Sequence, residues 1–211
     1  MSEGGTKLEA HFESMERQAD AARFGMWVFL ASEALLFGAL FTLYACYREK
    51  WPHAFEVGVA KNDALLGTTN TLLLITSSFL VVLGIDRYRR GDALVAARLV
   101  ASTAAIGLLF LLIKSHEYAM HFSEGIFPGG HGAYFADAPA GSAVFFTLYF
   151  TMTGLHAIHV TVGMGVLVYS AIQVRRRRMS LHGLEIAALY WHLVDCIWIF
   201  LWPLYYLARG S

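Results

Sequence analysis

The stretch at 184–207, LEIAALYWHLVDCIWIFLWPLYYL, is long and apolar enough to cross a bilayer as a single helix, yet it carries Glu185, His192 and Asp195. A spanning helix needs about 20 apolar residues rising roughly 1.5 Å each. Ionisable groups at that depth are costly, so they persist where they are paired, face the bundle interior or serve a function. Four further stretches, at 26–46, 65–85, 94–113 and 142–174, share this length and character. With 57% hydrophobic and 15% charged residues, the chain has more apolar surface than a water-soluble domain of 211 residues could bury. The expected fold class is all-α, a polytopic integral membrane protein built as a bundle of five transmembrane helices. Residues 25–211 form one membrane domain and residues 1–24 a polar N-terminal segment.

The formal net charge of zero conceals an asymmetry. With the N-terminus placed inside, the inner segments hold eleven basic residues: Lys7, Arg17, Arg23, Arg87, Arg89, Arg90, Arg98 and the run Arg175 to Arg178. The outer segments hold five: Arg48, Lys50, Lys61, Lys114 and Arg209. Lys and Arg near span ends are retained on the cytoplasmic side, so the distribution predicts N-in and C-out. In a soluble protein an arginine run would suggest nucleic acid. Directly after a spanning helix it reads as a topology anchor that can also touch anionic lipid, and no nucleic-acid partner is expected.

Residues 1–24 lack the apolar core of a cleavable signal. Leu8, Phe12, Met15, Ala19 and Ala22 recur at helical spacing, which fits either an amphipathic helix on a membrane or partner surface, or a solvated tail. Cys46 and Cys196 have no metal-like spacing and read as inert core thiols. No internal repeat is evident, which weighs against a transporter made of duplicated halves. After the third span comes SHEYAMHFSEGIFPGGHGAYFADAPAG, whose five glycines and two prolines read as an ordered, irregular loop.

Glu33 stands about 10 Å into its helix, where a carboxylate needs a cation or hydrogen-bond donors nearby. It reads either as an acid bonded to a neighbouring helix or as a group handling protons or lipid headgroups. The second span carries no charge but many hydroxyls, with Asn70 among them, suited to hydrogen bonds between helices. His156 and His159, three residues apart, share a helix face. Two histidines can begin a metal site, but no Cys or acid stands near them in sequence, so neutral, hydrogen-bonded rings are the simpler reading. In the fifth span Glu185 and His192 are nearly eclipsed and Asp195 lies one turn beyond His192. This stripe reads as a structural network or as a His–Asp pair holding a proton. Within its own helix Glu33 stands alone, so its loss is expected to spare assembly, whereas loss of His192 would strand an acid.

Four segments in order, RFGMWVFLASEALLF at 23–37, IKSHEYAM at 113–120, GLHAIHVTVG at 154–163 and the fifth span, resemble subunit III of the haem-copper terminal oxidases. The combination of Gly154, His156 and His159 with Glu185, Tyr190, Trp191, His192 and Asp195 is specific as a set. Ser32 and Glu33 match the family's Ser-Glu pair, and Glu117 with Tyr118 its Glu-Tyr pair. Glu rather than Asp at position 33 resembles the cytochrome c oxidases more than the bo-type quinol oxidases. Long members of the family have seven helices; this chain resembles the five-helix bacterial form. The lipid-filled cleft of the long form would then need a wall from a neighbouring subunit.

The resemblance implies a non-redox accessory subunit of a proton-pumping cytochrome c oxidase in the aerobic electron transport of a bacterial plasma membrane. Its role would be to stabilise the catalytic subunit, support proton uptake and bind structural lipid. It implies no catalytic residue, cofactor or metal in this chain, haem and copper in partner subunits, and bound phospholipid. The partners implied are oxidase subunit I, subunit II and a small subunit IV. Together with the residue reading, it gives Glu33, His156 and His159 a proton- or lipid-linked role. It places Asn70, Glu117, Glu185, Tyr190, Trp191, His192 and Asp195 in a structural polar network. A quinol oxidase or a nitric oxide reductase would suit the same motifs, and a small membrane transporter is the reading from another class.

Overall fold

Capping side chains begin two of the helices. Asp63 accepts from the backbone N–H groups of Leu65 and Leu66, and Ser180 Oγ accepts from that of Gly183, satisfying donors that a helix start leaves open. In the computed structural model, which describes residues 15–208, the described chain forms six α-helices. They are α1 (Met15–Lys50), α2 (Pro52–Lys61), α3 (Ala64–Arg89), α4 (Ala93–Ser123), α5 (Ser142–Arg175) and α6 (Leu181–Trp202). All but α2 are long and apolar enough to span, so the protein is a multi-pass membrane protein with the expected five spans. Gly91, with φ of +88°, supplies the left-handed residue that turns α3 tightly into α4.

α3 lies along α4 and α4 along α5, while α6 packs against both α3 and α5. α6 is the central helix, with 56% of its apolar window buried, and α1 the peripheral one, with 11%. The core is aromatic: Phe37, Tyr44, Phe110, Tyr149, Trp191 and Trp198 are almost fully enclosed. Indole donors lock α6 to the hydroxyls of α3, Trp191 Nε1 to Ser77 Oγ at 2.9 Å and Trp198 Nε1 to Thr71 Oγ1 at 3.0 Å. Most hydroxyls of α3 also return to the carbonyl three or four residues back, as expected for polar side chains in an apolar helix.

Several features differ from the sequence reading. α4 continues to Ser123, so Lys114 and the residues after it are helical and the irregular segment shrinks to 124–141. Lys114, counted among the outer loop charges, is instead 2% exposed inside the bundle. α2 was not anticipated; proline at its first position and buried Ala54, Phe55 and Val59 make it a short helix laid against α5 and α1. The described part of the polar N-terminal segment is continuous with α1, and Leu8 and Phe12 lie outside the described residues. Cys46 and Cys196 are exposed on the bundle surface rather than in the core.

Past Trp202 the helix widens into a π-helical turn, Pro203–Leu207. Pro203 has no N–H, and its ring crowds the preceding turn, so the regular ladder cannot continue. Ala208 N–H reaches the Pro203 carbonyl instead, at 2.9 Å. The wider turn brings consecutive residues Tyr205 and Tyr206 both into the core, each at most 1% exposed.

Candidate functional site

The most heavily built polar centre lies between α4, α5 and the π-helical turn. Lys114 Nζ donates to Glu117 Oε2 at 3.1 Å and to the hydroxyls of Tyr149 and Tyr206, each at 2.7 Å. Both phenols pass a hydrogen bond on to Glu117, Tyr149 to Oε1 at 2.8 Å and Tyr206 to both oxygens at 2.8 Å. All three ammonium donors are therefore engaged, and both carboxylate oxygens accept. The Lys114 ammonium also lies 4.4 Å from the Tyr149 ring centroid. A charged pair taken fully out of contact with lipid survives because every proton and lone-pair direction is matched. Nearby, Tyr118 and Thr153 share a hydrogen bond of 2.6 Å.

The same chemistry continues to the segment that joins α2 to α3. His121 Nε2 bonds to Asn62 Oδ1 at 3.0 Å, and Asn62 Nδ2 donates to the Tyr205 carbonyl at 2.9 Å. Tyr44 donates to the Leu204 carbonyl at 2.7 Å. Helices α1 and α4 and the residue that caps α2 thus all hold the C-terminal turn through its backbone or phenols. On the loop side, Lys61 pairs with Glu124 and stands over the Tyr134 ring. Partial burial raises the Tyr134 phenol above its ordinary range, and the Lys61 cation works against that.

The second centre joins α1 to α5. Glu33 Oε2 lies 2.9 Å from His159 Nε2, and both side chains remain slightly open at the surface of the bundle. His159 Nδ1 faces the Leu155 carbonyl at 2.8 Å, so it must carry a proton and donate. One proton is then shared between Nε2 and Oε2, either as an imidazolium beside a carboxylate or as an imidazole beside a carboxylic acid. Phe37 packs edge-on against the ring, and Tyr190 donates to the His159 carbonyl at 3.1 Å. Beside the pair, Met26, Phe29, Val162, Val166 and Tyr190 line an apolar groove of about 300 Å³.

Three sequence expectations change here. Glu33 does not stand alone, because its partner comes from α5, 126 residues away. His156 and His159 do not act as a pair: although they lie only about 60° apart around α5, His156 packs against α4 and α6 while His159 reaches α1. His156 is fully buried between Phe110 and the face of Trp198, and neither ring nitrogen has a partner among the described residues. The α6 stripe is also divided. Glu185 sits in the first turns of α6 and pairs with Arg89 of α3 at 2.7 Å, with its side chain partly exposed. His192 Nδ1 shares a hydrogen bond of 2.5 Å with Ser78 Oγ of α3 and bonds to neither acid. Asp195 is 4% exposed beside Ser78, and its carboxyl oxygens make no well-formed hydrogen bond. Asn70 is fully buried with its amide unpartnered among the described residues.

Glu117 bonds to Lys114, Tyr149 and Tyr206, Trp191 to Ser77, and Tyr190 to the His159 carbonyl beside Glu33. Lys114, Tyr149, Tyr206, Asn62 and His121 were missed. The available signal was the spacing of Lys114 and Glu117, three apart on one helix face, which becomes readable once α4 is extended.

The chain matches the family model described as cytochrome c oxidase subunit III over residues 3–209. It is similar to "Cytochrome c oxidase subunit 3" of Synechocystis sp., 33% identical over 89% of this chain and 76% of the relative. It is also similar to "Heme-copper oxidase subunit I+III" of Aeropyrum pernix, 27% identical over 96% of this chain and 24% of that much longer protein. A third relative is "Probable quinol oxidase subunit 3" of Staphylococcus haemolyticus, 27% identical over 92% of both chains. With five helices long and apolar enough to span and a family match along nearly its whole length, the chain belongs to the cytochrome c oxidase subunit III family and is an accessory subunit of a haem-copper oxidase.

Proposed function

We propose that this subunit holds the catalytic subunit of its oxidase in working form and keeps a protonatable pair, Glu33 with His159, on the face that α1 presents to the membrane. The observation that carries the second half is the 2.9 Å approach of His159 Nε2 to Glu33 Oε2 in a pair still slightly open at the surface. Haem and copper belong to the partner subunits in this reading. Subunit I is the main partner, supported by the Aeropyrum pernix relative whose name joins subunits I and III, with subunit II and a small subunit IV beside it. The groove along Met26, Phe29 and Tyr190 suits a phospholipid acyl chain.

The distribution of basic residues supports N-in and C-out, and the resemblance to the five-helix bacterial form supports a bacterial plasma membrane. Moving Lys114 into the bundle takes one charge from the outer loops and widens the asymmetry. Cytochrome c is the proposed electron donor. The quinol oxidase name of the Staphylococcus haemolyticus relative favours quinol as the second reading.

Purification in mild detergent through a tag on this chain tests the assignment to a complex. The expected result is a larger haem-bearing subunit in the same fractions, identified by its optical spectrum and peptide mass. This chain emerging alone, without haem, would refute the assignment, and oxidation of reduced cytochrome c against quinol separates the two donors.

The pair is tested by Glu33→Gln and Glu33→Leu in the purified complex. Gln keeps a hydrogen-bonding group beside His159 but cannot release a proton. Both variants are expected to assemble, and both to lose sustained oxygen consumption several-fold. Near-normal turnover in Glu33→Gln with a loss only in Glu33→Leu would reduce the pair to a packing contact.

A further inference from the structure

The end of the bundle where α3 and α5 finish and α4 and α6 begin is rich in arginine, and part of that charge is neutralised within the chain. Arg89 pairs with Glu185, Arg90 with Asp86, and Arg87 lies 3.9 Å from Asp92. Arg177 donates to the Gly91 carbonyl. Arg98, Arg175, Arg176 and Arg178 are exposed and make no ion pair among the described residues. Of these, Arg98 and Arg175 come from different helices and flank one groove.

That groove, of about 290 Å³, runs between α4 and α5 over Leu94, Ala97, Ala101, Ala171 and Ile172. Ala97 and Ala171 are buried where the two helices touch, and the short side chains leave a channel between the flanking Leu94 and Ile172. Arg98 sits about 8 Å along α4 from its first residue, and Arg175 is the last residue of α5. Both guanidinium groups therefore belong at the depth where headgroups meet acyl chains. Two planar, permanently charged forks beside a narrow apolar channel complement a phosphate joined to a hydrocarbon chain. No acidic residue lines the groove to satisfy them from within.

We infer that the groove between α4 and α5 binds one anionic phospholipid, with its phosphate between Arg98 and Arg175 and an acyl chain along Ala97, Ala101 and Ala171. The site lies on a different pair of helices from the Glu33 centre. It deepens the lipid part of the proposed function and rests on that reading.

The test is native mass spectrometry of the full-length chain in mild detergent, titrated with phosphatidylglycerol or with phosphatidylcholine of identical acyl chains. One preferred phosphatidylglycerol adduct is expected. Arg98→Gln with Arg175→Gln should weaken it about thirtyfold, two basic contacts each worth roughly fivefold at a headgroup surface. Arg176→Gln with Arg178→Gln removes the same charge outside the groove and should leave the adduct nearly unchanged. Ala101→Trp keeps both arginines, fills the channel and should abolish it. Excess glycerol phosphate should not displace the lipid.

Equal weakening by the two arginine pairs would reduce the effect to general surface charge and overturn the site. Displacement by glycerol phosphate, or an unaffected adduct in Ala101→Trp, would remove the acyl channel from the proposal and overturn it. A phosphatidylglycerol adduct indifferent to Arg98 and Arg175 would overturn this site while leaving lipid binding by the subunit standing. Failure of the unsubstituted chain to hold either lipid would overturn both.

Discussion

Lys114→Met is expected to destabilise the protein by about 3 to 5 kcal/mol, the range for removing one partner of a buried ion pair. Methionine fills much the same volume but leaves Glu117 with no cation, 1% exposed, held only by the hydroxyls of Tyr149 and Tyr206. Both phenols also lose the donor that bonded to them. Because Tyr206 belongs to the π-helical turn, the loss should loosen the C-terminal end of α6 as well as α4. Neutralising the acid in the same chain, Lys114→Met with Glu117→Gln, should recover most of the loss, since an amide oxygen can still accept from the phenols. The comparison is the midpoint of unfolding in mild detergent, with the yield of assembled complex beside it. A single variant as stable as the parent, or a double variant no better than the single, would show that the ion pair is not what holds this centre.

Gly163→Val should lower stability by about 3 kcal/mol, adding overpacking of 1 to 3 to the strain on a buried indole hydrogen bond. Trp191 is the reason. A Cβ on Gly163 would lie 2.9 Å from the indole, and one on Gly107 would lie 2.7 Å from the tip of the same ring system. The ring has nowhere to go, being fully buried and tied through Nε1 to Ser77 of α3. Gly165→Val, two residues along the same helix, meets nothing within 4 Å and should fall within about 0.5 kcal/mol of the parent, as a surface substitution does. Thermal midpoints of the two variants decide the matter. Equal losses would mean that helix propensity rather than the Trp191 contact governs the site.

The five spans, the family and the presence of polar groups within apolar spans are legible in the sequence alone. Hydropathy is a local sum, so a run of twenty apolar residues declares itself without reference to the rest of the chain. The motifs around Glu33, His156, His159 and Trp191 were likewise visible as short strings. What could not be read was which group answers which. His159 was seen beside His156, its neighbour in sequence, but its partner is Glu33 on another helix. Asp195 and His192 share a helix face yet are not bonded, because α3 supplies Ser78 to the histidine.

Lys114 shows the limit most plainly. A lone lysine after an apolar run carries the local signature of a loop charge, and only the meeting of Glu117, Tyr149 and Tyr206 makes burial tolerable. The Tyr206 contact in turn depends on the widened turn at Pro203. Cys46 and Cys196 show the converse, since an apolar span has a lipid-facing side as well as a core side, and composition alone does not say which residue faces where. The sequence by itself determined how many helices cross the membrane and to which family they belong, both properties of neighbouring residues. The tertiary structure alone decided the pairs Lys114 with Glu117 and Glu33 with His159, because a buried charge is stable only when helices distant in sequence bring its counter-charge and hydrogen bonds to it.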